Sequence, residues 1–267
     1  MISSKPKALV VLSGGQDSTT CLFWAISLGY DVYAVTFDYD HRHRIEIESA
    51  QLVVKMSGMD FLKHEIIYTG AILRGTSPLV SGAKLEQYQN HSSLPAGLEK
   101  TFVPMRNQLF LTVAANRAFV LGADILITGV CEEDYGGYPD CRQNFIDAVA
   151  HASTLGTFNS DTGFNNGLQI LTPLMALTKA EAVKLALSLP GCYEALAYTH
   201  TAYDGVFPPT GHDHATLLRV KGFEEAGVPD PLVLRAHIEG KMDIPATMNY
   251  SSAKIAEYSA RLNFWPF

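Results

Sequence analysis

Short unbroken apolar runs alternate along this chain with stretches in which apolar residues recur every three or four positions. The first run is Ala8-Leu9-Val10-Val11-Leu12, and behind it Cys21-Leu22-Phe23-Trp24-Ala25 opens a helical pattern. Runs of that length bounded by turn residues read as buried strands, and the longer periodic stretches read as helices. Asp31-Val32-Tyr33-Ala34-Val35-Thr36-Phe37 is β-branched and aromatic and predicts a second strand, with a helix over 45–56 and a third strand over 61–67. Three strands separated by two helices predict an α/β fold: a doubly wound parallel sheet with right-handed crossovers. In such sheets ligands sit at the carboxyl ends of the strands.

The periodicity then stops. Residues of about 68–101 are rich in Gly, Ser, Pro and polar side chains, the mark of an inserted connection with a function or mobility of its own. A helix over 108–121, a buried strand over 124–129, a helix over 142–152, a loop over 156–167 and a short strand over 168–171 follow. Thr178 predicts the cap of a helix over 179–189, with Glu181 at the capping-box position. No internal repeat or low-complexity segment occurs. We divide the chain into a nucleotide-binding domain over 1–190 with a variable insert, and a small helical and loop appendage over 191–267.

Composition narrows the function classes. The 267 residues are 47% hydrophobic, enough for a sizeable core, and the net charge of −7 without a long basic run argues against a surface that tracks nucleic acid. No apolar stretch has the length of a membrane span. Cys21, Cys131, Cys141 and Cys192 lie far apart with no C-x-x-C pair, so free thiols and a cytoplasmic setting are expected.

The chemistry concentrates in Ser13-Gly14-Gly15-Gln16-Asp17-Ser18-Thr19, between the first strand and the first helix. Glycines let the backbone approach an anion, and a helix start offers unpaired N–H groups and the positive end of a dipole. The turn therefore reads as a phosphate site, although G-x-x-x-x-G-K-[ST] is absent. Asp17 has two compatible readings, a helix N-cap and a hard oxygen ligand for Mg²⁺.

S-G-G-x-D-S resembles the pyrophosphate loop of the PP-loop ATP-pyrophosphatases, the adenine nucleotide alpha-hydrolase-like fold. Four further segments sharpen the likeness: 37–44, Phe102-Val103-Pro104-Met105-Arg106-Asn107, the stretch from Gly129 through Tyr138-Pro139-Asp140-Cys141-Arg142, and 171–181. Together with Lys221-Gly222-Phe223-Glu224-Glu225-Ala226-Gly227 they are similar to the 7-cyano-7-deazaguanine (preQ0) synthase family, over about 7–236. The resemblance implies an AMP-forming ligase of queuosine biosynthesis. A 7-carboxy-7-deazaguanine is adenylated, converted with ammonia to the amide, and with a second ATP to the nitrile.

On this resemblance ATP contacts Leu12, Ser13, Gly14, Gly15, Gln16, Asp17, Ser18, Thr19, Phe37, Arg42 and His43. Asp17, Ser18, Lys179 and Arg142 take part in catalysis, with Mg²⁺ on Asp17, and Arg106, Asn107, Glu133, Tyr135, Tyr138, Asp140 and Arg142 bind the base. Phe37 has an equal reading as core, Lys179 as a solvated helix residue, and Arg42-His43-Arg44 as a solvated basic face. Cys131 and Cys141 read as structural or pocket-lining, since adenylation needs no thiol. Arg142 suits a carboxylate through its planar fork, and Asp140 a guanine-like N–H edge.

The likeness breaks where the family carries a structural zinc held by four cysteines. Ala202, Thr210, Asp213 and Thr216 occupy those positions, so no zinc is expected, and His200, His212, Asp213 and His214 make a poor substitute set. Hydrogen bonds, Pro208-Pro209, apolar packing or a partner chain must hold the segment instead. Met105 stands at a family glycine, where it is expected to narrow the approach to ligand, and Asp40 at a usually small position. The tail over 242–267 ends in an aromatic cluster suited to docking on the body or on a protein partner. The resemblance also implies a homodimer. Two other readings stay open: a relative that adenylates a similar acid for modification of protein or DNA, and a nucleotide-binding partner subunit with reduced activity.

Overall fold

The computed structural model describes residues 5–39, 45–81, 83–94, 97–132 and 137–262. Its strands are β1 (Lys7–Val11), β2 (Asp31–Asp38), β3 (His64–Tyr68), β4 (Ile125–Ile127) and β5 (Gln169–Leu171). All pair in parallel in the order β3-β2-β1-β4-β5. The helices are α1 (Gln16–Ser27), α2 (Ile45–Ser57), α3 (Pro78–Ser81), α4 (Arg106–Leu121), α5 (Gln143–Gly156), α6 (Lys179–Ser188), α7 (Cys192–Leu196), α8 (His214–Ala226), α9 (Pro231–Ile238) and α10 (Ser252–Leu262).

Alternation along the strands divides the core in two, because successive side chains point to opposite faces. Ala8, Val10 and Leu12 join Ala34 and Ile127 under α1, α2, α6 and α7, whereas Leu9, Val35, Leu126 and Ile170 pack against α4 and α5. Both faces are covered, which explains why the strands read as unbroken apolar runs. The chain winds outward from β1 to β3, then crosses to β4, so the ends of β1 and β4 flank the point where the strand order reverses.

Differences from the expected elements are local. The segment expected as a strand over 61–67 starts with a 3₁₀ turn, Phe61–Lys63, because the Asp60 carboxylate accepts the Leu62 N–H at 3.0 Å and pulls the backbone round. Thr178 and Glu181 form the expected reciprocal cap, with bonds of 3.1 and 2.8 Å. Residues beyond 190 share the first core: Cys192, Tyr193, Leu196 and Phe223 pack in one cluster with β1 and α1. The tail also docks on the body, through Arg261 to Glu194 at 2.8 Å and Tyr258 against Tyr193; the aromatic residues over 263–267 lie outside the described residues.

One buried ion pair ties the C-terminal elements together. Arg219 of α8 donates to both oxygens of Asp230 at 2.6 and 2.8 Å through Nε and Nη2, while Nη2 also reaches the Leu196 carbonyl and Nη1 reaches Thr199 and Thr201. Asp230 also caps α9 through the Leu232 N–H. Removing one partner of such a pair strands the other charge in the interior. Asp230→Ala is therefore expected to lower unfolding stability by about 3–5 kcal/mol, measured by urea denaturation.

Met105 is the non-glycine residue with a left-handed backbone among the described residues, at φ 65° and ψ 7°. The family glycine at this position fits that conformation without strain. The Met105 side chain is 63% exposed and is not among the residues that line the cavity described below. Met105→Gly is expected to raise stability by roughly 0.5–1 kcal/mol, read as a shift in the denaturant midpoint.

Candidate functional site

The glycine turn sits at the ends of β1 and β4, as the topology requires, but its glycines have a more particular reason than ligand approach. A Cβ on Gly14, at φ +84°, would lie 2.2 Å from the Glu46 carbonyl oxygen of α2. A Cβ on Gly129, just past β4, would lie 2.9 Å from the backbone of Asp17 and Ser18. These contacts press the turn between two neighbouring segments and fix where α1 begins.

Within the turn the small hydroxyls bond to each other. The Ser13 N–H donates to Ser18 Oγ at 3.1 Å, Ser18 Oγ donates to the Gly15 carbonyl at 3.2 Å, and the Gly15 N–H donates to Ser13 Oγ at 3.3 Å. Gly15 is the N-cap residue and supplies no side chain, so the cap reading of Asp17 does not hold; Asp17 lies in the first helical turn. The first-turn N–H groups of α1 thus face the cavity with the positive end of the helix dipole behind them.

Asp17 and Lys179, 162 residues apart, form an ion pair of 2.8 Å. The lysine is held at the start of α6 by the Thr178–Glu181 cap, with its side chain only 12% exposed. Beside them the amide oxygen of Gln16 is buried without a hydrogen-bond partner among the described residues. A cation, an anion and an unmet acceptor at one helix start are suited to a ligand with phosphate and donor groups.

The cavity over this turn has a volume of about 360 Å³. Leu12, Ser13, Gly15, Gln16, Asp17, Ser18, Phe37, Arg106, Asn107, Tyr138 and Lys179 of the expected residues line it. Phe37 serves both of its readings: it stacks on Phe110 in the core, 4.4 Å between ring centres, and borders the cavity. Thr19 is buried behind the turn, and Gly14 lies between the turn and α2.

Arg106 is set into the wall by the turn at Met105, and it donates to the Tyr39 hydroxyl. Burial opposes its charge, but the hydroxyl oxygens of Tyr39, Tyr203 and Tyr138 and the Asp140 carboxylate outweigh that and raise its pKa. The same enclosure pushes Tyr39 up to about 12. Asp140 does not reach the cavity: it is buried, and its carboxylate accepts the Asn107 N–H at 3.3 Å. Burial raises its pKa, against the Asn107 N–H and Arg106. Arg142 is exposed at the start of α5 and is not part of the wall. It follows the 3₁₀ turn Pro139–Cys141, whereas Arg106, also among the expected base-binding residues, lines the cavity. Arg42, His43, Arg44, Asp40, Glu133 and Tyr135 lie outside the described residues.

The sequence reading missed the far wall. Thr36, Tyr39, His200, Thr201, Tyr203 and His214 all line the cavity, several of them from the segment that lost the zinc ligands. Thr36 donates to the Leu12 carbonyl at 2.6 Å and pairs with His64 at 2.8 Å, so it holds the residue before the turn. Burial lowers the His64 pKa to about 4 and keeps the ring neutral.

The four positions of the family's zinc ligands do not fit that metal. Asp213 caps α8 by accepting the Thr216 N–H at 3.0 Å and hydroxyl at 2.6 Å, and Thr210 donates to Asp204 at 3.1 Å. Ala202 offers only its carbonyl, to His200. The Tyr88 N–H of the insert donates to the His212 carbonyl at 2.7 Å, and His212 Nδ1 meets the Tyr88 carbonyl at 3.3 Å. Among the described residues no group of three or more His, Cys, Asp or Glu is placed to hold a metal ion, and no helix is long and apolar enough to cross a membrane.

A family profile described as queuosine biosynthesis protein QueC matches residues 7–227. The chain is 54% identical to a 7-cyano-7-deazaguanine synthase from Gloeobacter violaceus, over 85% of this chain and 95% of that one. It is 46% identical to the synthase from Chromobacterium violaceum, over 90% and 98% of the two chains, and 44% identical to that from Laribacter hongkongensis, over 85% and 94%. Since the match runs unbroken from β1 through the glycine turn to the end of α8, the chain belongs to the queuosine biosynthesis protein QueC family.

Proposed function

We propose that this protein is the ATP-dependent, AMP-forming ligase that turns 7-carboxy-7-deazaguanine and ammonia into the amide and then into 7-cyano-7-deazaguanine. The observation that carries the reading is the Asp17–Lys179 pair at an uncapped helix start, in one cavity with Arg106. A carboxylate is a poor electrophile until its oxygen carries a leaving group. Attack of the substrate carboxylate on the α-phosphate of ATP supplies one, with pyrophosphate leaving into the turn.

In this reading the N–H groups of α1 and Lys179 take the charge that builds on pyrophosphate. Arg106, rather than Arg142, orients the acid, and Tyr138 and Tyr39 offer flat faces and hydroxyls for the base. Asp17, a hard carboxylate at the phosphate turn, is the residue to hold Mg²⁺ together with the phosphates. When bound, Mg²⁺ neutralises phosphate charge during the transfer. We also propose a cytoplasmic location, in keeping with four buried cysteines that form no disulfide.

Incubation with ATP, Mg²⁺, ammonium and 7-carboxy-7-deazaguanine should give the nitrile by mass spectrometry. Amide alone would favour a ligase that stops at the first stage, and no ATP turnover would overturn the reading. Asp17→Ala should reduce pyrophosphate release by on the order of 100-fold or more. Arg106→Ala should raise KM for the acid with ATP binding retained, whereas Arg142→Ala should stay near the parent. Because hydrogen bonds occupy the zinc positions, prolonged treatment with a zinc chelator should leave the thermal unfolding midpoint unchanged; a drop would contradict a metal-free segment.

A further inference from the structure

The insert over 68–101 carries a buried carboxylate that the chemistry above does not use. Glu99 is 4% exposed, and three donors face it: the Thr101 N–H at 2.7 Å, the Thr101 hydroxyl, and the Tyr88 hydroxyl at 3.1 Å. Thr101 Oγ1 in turn lies 2.6 Å from the hydroxyl of Tyr138, a residue of the cavity wall, and Tyr138 is hydrogen-bonded to Tyr203 on the opposite wall. On the outer side the Tyr88 hydroxyl also reaches Glu86 at 2.9 Å, and Glu86 pairs with Lys100. The lysine side chain is 71% exposed. A continuous line of hydroxyl and carboxylate groups therefore connects the cavity to the surface.

The direction of each bond follows from the donor inventory. An ionised carboxylate only accepts, so Thr101 gives its hydroxyl proton to Glu99 and must accept from Tyr138. The Tyr138 proton thus points away from the cavity, and its oxygen accepts on the cavity side, where the Tyr203 hydroxyl is its donor. Tyr88 has one hydroxyl proton between two carboxylates and satisfies one at a time; a proton arriving on Glu99 satisfies the second.

We propose that Tyr138, Thr101 and Glu99 form a relay that removes the proton released when ammonia attacks the acyl adenylate. This inference rests on the ligase reading and gives the insert a place in its chemistry. In that step the nitrogen lone pair forms a bond to the acyl carbon, and the carbon–oxygen bond to AMP breaks with its electron pair going to the phosphate oxygen. One nitrogen proton must leave to give the neutral amide. It passes to the Tyr203 hydroxyl, whose own proton moves to the Tyr138 oxygen, as the Tyr138 proton moves to Thr101 and the Thr101 proton to Glu99. Adenylation itself, in which a carboxylate attacks ATP, transfers no proton and does not need the relay.

That difference supplies the test. In a single turnover with ATP, Mg²⁺, ammonium and 7-carboxy-7-deazaguanine, pyrophosphate and amide are followed separately. Glu99→Gln and Thr101→Val should each slow amide formation by on the order of 100-fold and leave the pyrophosphate burst at the parent rate. Thr101→Ser, which keeps the hydroxyl, should restore amide formation, and the Val and Ser pair decides the matter should Glu99→Gln fail to fold. Parallel slowing of both phases would mean a structural role and overturn the relay, as would an unchanged amide rate. A parent protein that releases no pyrophosphate would refute the ligase reading itself.

Discussion

The attraction between Asp17 and Lys179 closes the molecule around its chemistry. One partner follows the first strand and the other begins the helix after the last, so the pair forms only when the whole sheet has been assembled. At 2.8 Å with the lysine mostly covered, it holds a positive group over a helix start that already favours anions. A cation placed there without its counter-charge would cost more than the paired arrangement does. The capping box at Thr178 and the crowding at Gly14 and Gly129 then act on the same point, fixing the two backbones that carry the charges.

Much of this architecture was legible because its causes are local. Strands covered on both faces must be apolar throughout, and the cap at Thr178 needs only two side chains three positions apart. The turn at Ser13–Thr19 announced itself through its glycines, of which Gly14 has no room for a side chain. What stayed hidden depends on long-range placement. Arg106 and Arg142 both stand at helix starts, and nothing near either in the sequence tells that the first lines the cavity whereas the second is exposed. Tyr203 and Glu99 lie in stretches without periodicity, so nothing nearby reveals that the fold brings them to a common cavity and its lining.

The segment that lacks thiolates shows how distributed contacts take over from one strong centre. A metal concentrates its stabilisation on four ligands. Here the Asp213 cap, the Thr210–Asp204 bond and the buried Arg219–Asp230 pair divide the task among residues that also build the cavity wall. Each is worth less than a metal bond. Together they hold Thr201 and its neighbours against the site.

The paired bonds between Tyr88 and His212 give this arrangement a further property. They stitch the insert to the segment in which the thiolates are missing, so the two are mechanically joined. Trimming that insert to the length of a plain connection would release the 210–213 loop as well as the strap itself.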